Sequence, residues 1–528
     1  MRKLLLIFLI YWAPLGAFAQ KMVVQPYLQP GNGASLEGTD VKIITWITDQ
    51  IEGDFSVEFL VVGGEVKTSI PVRVNLDFNQ PNANLQKTAT EPGSQLDPPK
   101  VPPPSSPSGP IALTLEELRQ NLVKLTTQLN PPKDTRYFKY IATLANLPFD
   151  SEVSYTVKMR GATICQAKFR TRASANRPTK FVMVGDLADG RAEQNAIAFQ
   201  ISRNDPDFLV ALGDIVYSAG RFSEYLHHFW GTYNSLVPAS KKTGAPLMAS
   251  IPFYPVIGNH DADVAKLPDT RDALAAFYFF HAPLNGPGLG PWNTPLGKDP
   301  KVAAAFRAAA GSSYPGLSEY SFDYGAGHFL ILDTNSYNNA SFMQLAPWIE
   351  KDLQQSKQPW KFVCFHAPSF HTSLQHYTEQ KMRLLEPIFA QQGVSIVFAG
   401  HVHNYQRSKP LLFTPNPGVR DARGRVNGDF VFDEQFDGIT KTVPHGVIHV
   451  VSGGGGATLY GVKDYEKIAI TLQKENPGNY APLTAKYFAE KNSFSLIELT
   501  PESLILKQIS VDGQELDRFR ITKPSLSE

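Results

Sequence analysis

The sequence predicts an α/β protein in two parts: a β-sandwich of immunoglobulin or fibronectin type, then a layered α/β domain. Three observations predict it. Residues 22–172 alternate short β-rich segments with turn residues. Residues 172–180 are polar and contain proline, as a linker does. From 178 to 524, apolar runs alternate with stretches of helical pattern, the grammar of strands buried on both faces.

In chain order, the first element is a leader. Met1-Arg2-Lys3 is basic, residues 4–11 are apolar, and Ala17-Phe18-Ala19 gives a small-x-small cleavage pattern before Gln20. The apolar run is interrupted by Pro14 and is shorter than the ~20 residues of a spanning helix. Residues 1–19 therefore read as a signal peptide, which predicts export to a periplasm or the medium. No cysteine follows the cleavage point to carry a lipid, and no later stretch is apolar enough to span.

Segments 41–46 (VKIITW), 56–62 (SVEFLVV), 137–144 (YFKYIATL) and 153–158 (VSYTVK) are the sandwich strands. Between them lies an insertion, about 78–130. Its first part, to Pro110, is rich in Pro, Asn, Ser and Gln and reads as an exposed loop. Thr114-Leu115-Glu116-Glu117 is a capping box for a helix to about Leu129, with Leu115, Leu118, Leu122 and Leu125 on one face. In the second part the apolar runs are 181–184, 208–212, 254–257, 329–332, 362–365 and 394–399.

The 50 Lys and Arg against 49 Asp and Glu leave a formal charge of +1. No global field draws this chain to nucleic acid or an anionic membrane, so attraction for any charged ligand has to be local. Cys165 and Cys364 are the only cysteines. Cys364 sits in an apolar run and is expected as a buried thiol.

Five motifs follow five of the runs: Gly185-Asp186, Gly213-Asp214-Ile215-Val216-Tyr217, Gly258-Asn259-His260-Asp261, His366, and Gly400-His401-Val402-His403. Singly each is weak, because a Gly-Asp usually marks a turn and a lone histidine is usually a satisfied partner. Together they bring carboxylates, an amide oxygen, imidazoles and a phenol to one edge of one sheet. That donor mixture suits two adjacent first-row cations, with Asp214 able to bridge them.

This ordered set resembles the calcineurin-like metallophosphoesterases, and within them the purple acid phosphatases. Residues 320–325 before 329–334 are similar to the family's middle strands, and 400–407 (GHVHNYQR) to its signature loop. The resemblance covers most of 22–520 and implies a metallophosphoesterase domain over 178–524. One position separates the subfamilies. The general superfamily often has a histidine ligand two residues after the first Asp; here Ala188 stands there, where the purple enzymes usually have Gly. The resemblance gives that ligand's place to Tyr217. It implies Fe(III) held by Asp186, Asp214, Tyr217 and His403. A divalent Fe, Zn or Mn is then held by Asp214, Asn259, His366 and His401.

The expected activity is an exported acid phosphatase that hydrolyses small phosphate monoesters with a metal-bound hydroxide nucleophile. His260, beside Asn259, is the expected proton donor. His376 and His371 are candidates to bind phosphate or share that role, with an exposed-loop histidine as the alternative reading of both. Gly453–Gly456 reads as a tight turn near the site, and Arg407 as a residue that pairs with a carboxylate to hold its loop. A phosphodiesterase with the same metal core is the first rival. A surface-binding protein with a vestigial metal domain is the second, and the complete ligand set argues against it. The sequence does not give the oligomeric state.

Overall fold

The computed structural model describes residues 22–49, 53–78, 136–262, 272–288, 306–307, 309–335, 342–417, 421–460 and 464–523. The leader, most of the insertion and the helix expected at 114–129 lie outside the described residues.

Two four-stranded antiparallel sheets form the first part. One runs in the order Met22–Pro30, Asp40–Asp49, Arg136–Leu147, Val72–Asp77. The other is Val66–Ser69, Phe55–Val61, Glu152–Met159, Ala162–Arg170. Strand Glu152–Met159 shows why they stack: Val153, Tyr155 and Val157 are buried at every second position. They join Trp46, Tyr140 and Leu28 in one core, with Trp46 stacked on Tyr140 at 5.5 Å.

The second part is also built on two sheets. The six-stranded sheet is ordered Phe253–Pro255, Phe208–Ala211, Thr179–Val184, Ser493–Leu499, Ser503–Ser510, Glu515–Thr522, and its first three strands are parallel. The seven-stranded sheet is ordered Tyr320–Tyr324, Gly327–Ile331, Trp360–Phe365, Ile396–Ala399, Ile448–Ser452, Tyr405–Ser408, Thr484–Phe488. Its strands from Gly327–Ile331 to Ile448–Ser452 are parallel. Between the sheets, Phe181, Phe208, Phe329 and Phe362 interlock with centroids 4.9–5.8 Å apart. Outside the second sheet, helix Ala346–Gln355 buries Ile349 and Leu353 against Leu330 and Val363. Both faces of the parallel strands are therefore covered, which is why they read as continuous apolar runs.

One expectation is corrected. The five motifs do not end strands of one sheet: Asp186, Asp214 and Asn259 follow strands of the six-stranded sheet, while His366 and His401 follow strands of the seven-stranded one. A run buried on both faces carries no mark of which sheet it joins. At the site edge the two sheets are tied by Gly185 N donating to the Ser452 carbonyl at 2.9 Å and Ser452 Oγ to the Met183 carbonyl at 3.0 Å.

The polar segment after the sandwich begins with a buried node. Arg172 is 1% exposed; its Nε donates to Asp40 Oδ1 at 2.8 Å, its Nη1 reaches the carbonyls of Ala34 and Asp323, and Lys42 pairs with the same Asp40. A buried carboxylate between two cations is costly to break, and the Arg172 bond to the Asp323 carbonyl at 3.2 Å ties this node to the second part. Cys165 and Cys364 are free, and Cys364 is fully buried. Among the described residues no helix is long and apolar enough to cross a membrane.

Candidate metal centre

Three of the candidate ligands leave their strands at sharp turns. Asp186, Asp214 and His401 have φ of 61°, 50° and 66°, the left-handed region that non-glycine residues rarely occupy. Such outliers persist only where the surroundings fix them. Here the three loops hold one another: Asp186 N donates to the Gly213 carbonyl at 3.0 Å, and His401 N donates to Asp186 Oδ2 at 2.8 Å. Gly258 is required by close approach, because a Cβ there would lie 2.2 Å from Asp214 Oδ1. Gly453 is required likewise, since its Cβ would meet Asp186 Oδ2 at 2.8 Å. The Gly453–Gly456 turn therefore packs directly beneath the site.

The donor atoms converge in two groups. In the first, the Tyr217 hydroxyl donates to Asp186 Oδ1 at 2.9 Å and lies 3.0 Å from His403 Nε2, which is 3.2 Å from Asp186 Oδ1. In the second, His366 Nε2 lies 3.2 Å from Asp214 Oδ1 and 3.1 Å from Asn259 Oδ1. Asp214 belongs to two metal-competent clusters, Asp186–Asp214–His403 and Asp214–His366–His401, whose ligand atoms lie within 4.8 Å of one another. One carboxylate shared by two clusters is the arrangement of a dinuclear centre. Donor atoms ~2.1 Å from a common octahedral cation stand roughly 3 Å apart, so the spacings fit.

Orientation comes from backbone carbonyls. His366 Nδ1 donates to Leu212 O at 2.8 Å and His403 Nδ1 to Thr458 O at 2.6 Å, which leaves each Nε2 facing the cluster. Burial alone would raise the Asp214 carboxyl, but the charge and hydrogen bond of His366 outweigh it and hold it well below the usual range. Tyr217 is pushed the other way, by burial and then by the Asp186 and Asp214 carboxylates. Three oxygen donors crowded this closely are complementary to a strong cation.

His260 stands beside the cluster with its side chain 39% exposed. Its Nδ1 donates to the Ser218 carbonyl at 2.7 Å, its Nε2 is 4.0 Å from Asp214 Oδ2, and its ring lies 4.6 Å from that of Tyr217. His376 also reaches the centre, its ring 3.9 Å from that of His401. His371 lies behind it. It is buried, its Nε2 faces the His376 carbonyl at 3.3 Å, and burial followed by the Arg383 charge pushes its pKa down to about 3.

Several residues of the site went unread in the sequence. Glu379 accepts from His376 Nδ1 at 2.7 Å and from His401 Nε2 at 3.1 Å; the His376-x-x-Glu379 spacing was the available signal. Tyr460 stacks on His403 at 4.4 Å and lies 3.2 Å from His376 Nε2, but nothing local in the sequence marks it. Asp261, quoted as part of a motif without a role, accepts from the backbone N of Ile215 and Gly258 at 2.9 Å each and so braces two ligand loops. Arg407 pairs with Asp517 at 2.7 Å, the holding role expected of it.

Residues 179–405 match the family described as calcineurin-like phosphoesterase. Purple acid phosphatase 18 of Arabidopsis thaliana is 25% identical over 288 residues, covering 53% of this chain and 51% of that protein. The Fe(3+)-Zn(2+) purple acid phosphatase 12 of the same plant is 24% identical over 290 residues, 52% and 54% of the two chains. The chain thus spans about half the length of these curated relatives. A purple acid phosphatase from yellow lupin (Lupinus luteus) seeds shares the fold with a TM-score of 0.56 at 17% identity, covering 95% of this chain and 77% of that one. The ligand motifs lie inside the matched segment, so the part of the chain that bears the site carries a calcineurin-like phosphoesterase domain, similar in sequence and fold to purple acid phosphatases.

Proposed function

We propose that this protein is an exported phosphatase acting on small phosphate monoesters at a dinuclear metal centre. The observation that carries the reading is Asp214, shared by two donor clusters, with His260 half-exposed at their rim. Asp186, Tyr217 and His403 hold a ferric ion together with Asp214. Asn259, His366 and His401 hold a divalent iron, zinc or manganese with the same carboxylate. Support for this pairing comes from the phenol in the first group and from the Fe(3+)-Zn(2+) relative. When bound, the two cations neutralise the phosphate ester and lower the pKa of water.

The remaining work falls to side chains. The Ser218 carbonyl accepts the His260 Nδ1 proton, so Nε2 faces the cluster, and the doubly protonated imidazolium delivers its Nε2 proton to the leaving alkoxide. His376, oriented by Glu379, binds a phosphate oxygen. His371 supports the His376 backbone from behind. The same reading divides the chain into a signal peptide at 1–19, a sandwich at 22–172 and a catalytic domain at 178–524.

The test compares initial rates on 4-nitrophenyl phosphate and bis(4-nitrophenyl) phosphate with the metal-loaded protein. The reading requires the monoester to be cleaved at least about tenfold faster, ~1.4 kcal/mol in the barrier. A faster bis-ester would replace it with the diesterase, and no turnover of either would point to a binding protein.

A further inference from the structure

A cavity of about 520 Å³ opens between the start of helix Ala192–Asn204 and the segment that follows Tyr225–Phe229. Arg191, Lys242, His227, His228, Gln194 and Asn195 are among its lining residues. None of its lining residues among those described is Asp or Glu. Two acids stand nearby and outside the lining: Glu193, 3.6 Å from Arg191 Nε, and Asp189, whose Oδ1 accepts from Arg191 N at 3.1 Å.

The floor is built by hydrogen bonds among its own amides. Gln194 Oε1 accepts from Gly190 N at 2.9 Å, while its Nε2 donates to Thr232 Oγ1 at 2.8 Å. Asn195 Nδ2 donates to the Lys242 carbonyl at 3.0 Å and so pins the lysine's backbone at the rim. Gly190 borders the opening at φ +85°. A Cβ there would lie 2.6 Å from His228 Nδ1, so any other residue closes the space beside that ring.

Arg191 links the cavity wall to the metal centre by hydrogen bonds. Its Nη1 donates to Thr458 Oγ1 at 2.6 Å, and the carbonyl of the same Thr458 holds His403 Nδ1 at 2.6 Å. Two hydrogen bonds therefore separate a cationic wall of the cavity from a candidate ligand. With an overall charge of +1, the protein relies on local charge of this kind to draw a polyanion.

We propose that this cavity is a second anion subsite, which takes the remote phosphate group of a small molecule whose scissile phosphate ester sits at the metal centre. This rests on the phosphatase reading and narrows its substrate class to bisphosphorylated compounds. Arg191 and Lys242 supply the charge that holds the remote phosphate.

The experiment compares kcat/KM for fructose 1,6-bisphosphate and fructose 6-phosphate, with and without Lys242→Glu, on the metal-loaded full chain. The expected ratio favours the bisphosphate by about tenfold, the worth of one charge-assisted contact. Lys242→Glu should collapse that ratio through KM, with kcat little changed. A ratio near one, or a ratio that Lys242→Glu leaves intact, overturns the proposal. Calorimetric titration of the chelator-treated full chain with inorganic tripolyphosphate reads the cavity without turnover. Saturable binding weakened at least about tenfold by Lys242→Glu upholds the subsite. Binding that is absent or insensitive to the variant overturns it. If neither sugar phosphate is hydrolysed while tripolyphosphate binding behaves as expected, the phosphatase reading fails and the subsite stands.

Discussion

His328 sits near the start of strand Gly327–Ile331 and His366 just past the end of its parallel neighbour Trp360–Phe365, and their hydrogen bonds differ in kind. His328 spends both ring nitrogens on carboxylates, Nδ1 on Asp323 Oδ1 at 2.7 Å and Nε2 on Asp352 Oδ2 at 2.8 Å. It is saturated, and it clamps strand Tyr320–Tyr324 to helix Ala346–Gln355. His366 spends one nitrogen on a backbone carbonyl and turns the other toward Asp214 and Asn259, where three loops converge. A histidine whose partners are all satisfied is structural. One held by the backbone at one nitrogen, with the other aimed into a cluster of acceptors, is prepared for a ligand.

The sharpest way to break the comparison is to remove the shared carboxylate. Asp214→Asn should lower kcat/KM on a monoester at least about a thousandfold, ~4 kcal/mol of barrier. Metal content should fall with it while far-UV circular dichroism stays unchanged. A variant that keeps both metals and its rate would contradict the bridging role. Next in size is His260→Ala, expected to cost about 10²–10⁴ in kcat with metals retained, because general acid help is lost and no ligand is. Unchanged turnover would remove His260 from the chemistry.

The smallest effect belongs to the clamp. Burial alone would lower the His328 pKa, but the hydrogen bonds to Asp323 and Asp352 outweigh it and raise it to about 9. A pKa raised in the folded state stabilises fully below the unfolded value, ~6.5, and that stability is lost as pH rises through about 9. His328→Asn should therefore lower Tm by about 3–6 °C at pH 6, with the gap to the parent narrowing above pH 9. Activity per folded molecule should not change. A gap that widens at alkaline pH would contradict the sign.

The same contrast explains what was legible in the sequence. Asp186, Asp214, Asn259, His366 and His401 each stand just past an apolar run, so local pattern located them, and His403 and Tyr217 follow within three residues. Glu379, Thr458 and Tyr460 come from loops whose place depends on long-range packing, and only the His376-x-x-Glu379 spacing hinted at one of them. Arg172 read as part of a polar linker and is a buried ion-pair node, because its partner Asp40 lies 132 residues away. The allocation of strands to two sheets was likewise invisible, since burial on both faces looks the same in either.

The central claim is a ferric-phenolate dinuclear site. Its most direct test is the visible absorption spectrum of the purified protein, with metal analysis on the same sample, beside Tyr217→Phe. The account predicts iron and a second metal in the parent, and a broad band in the green-to-yellow region that Tyr217→Phe abolishes. A colourless parent carrying two metals other than iron would contradict it.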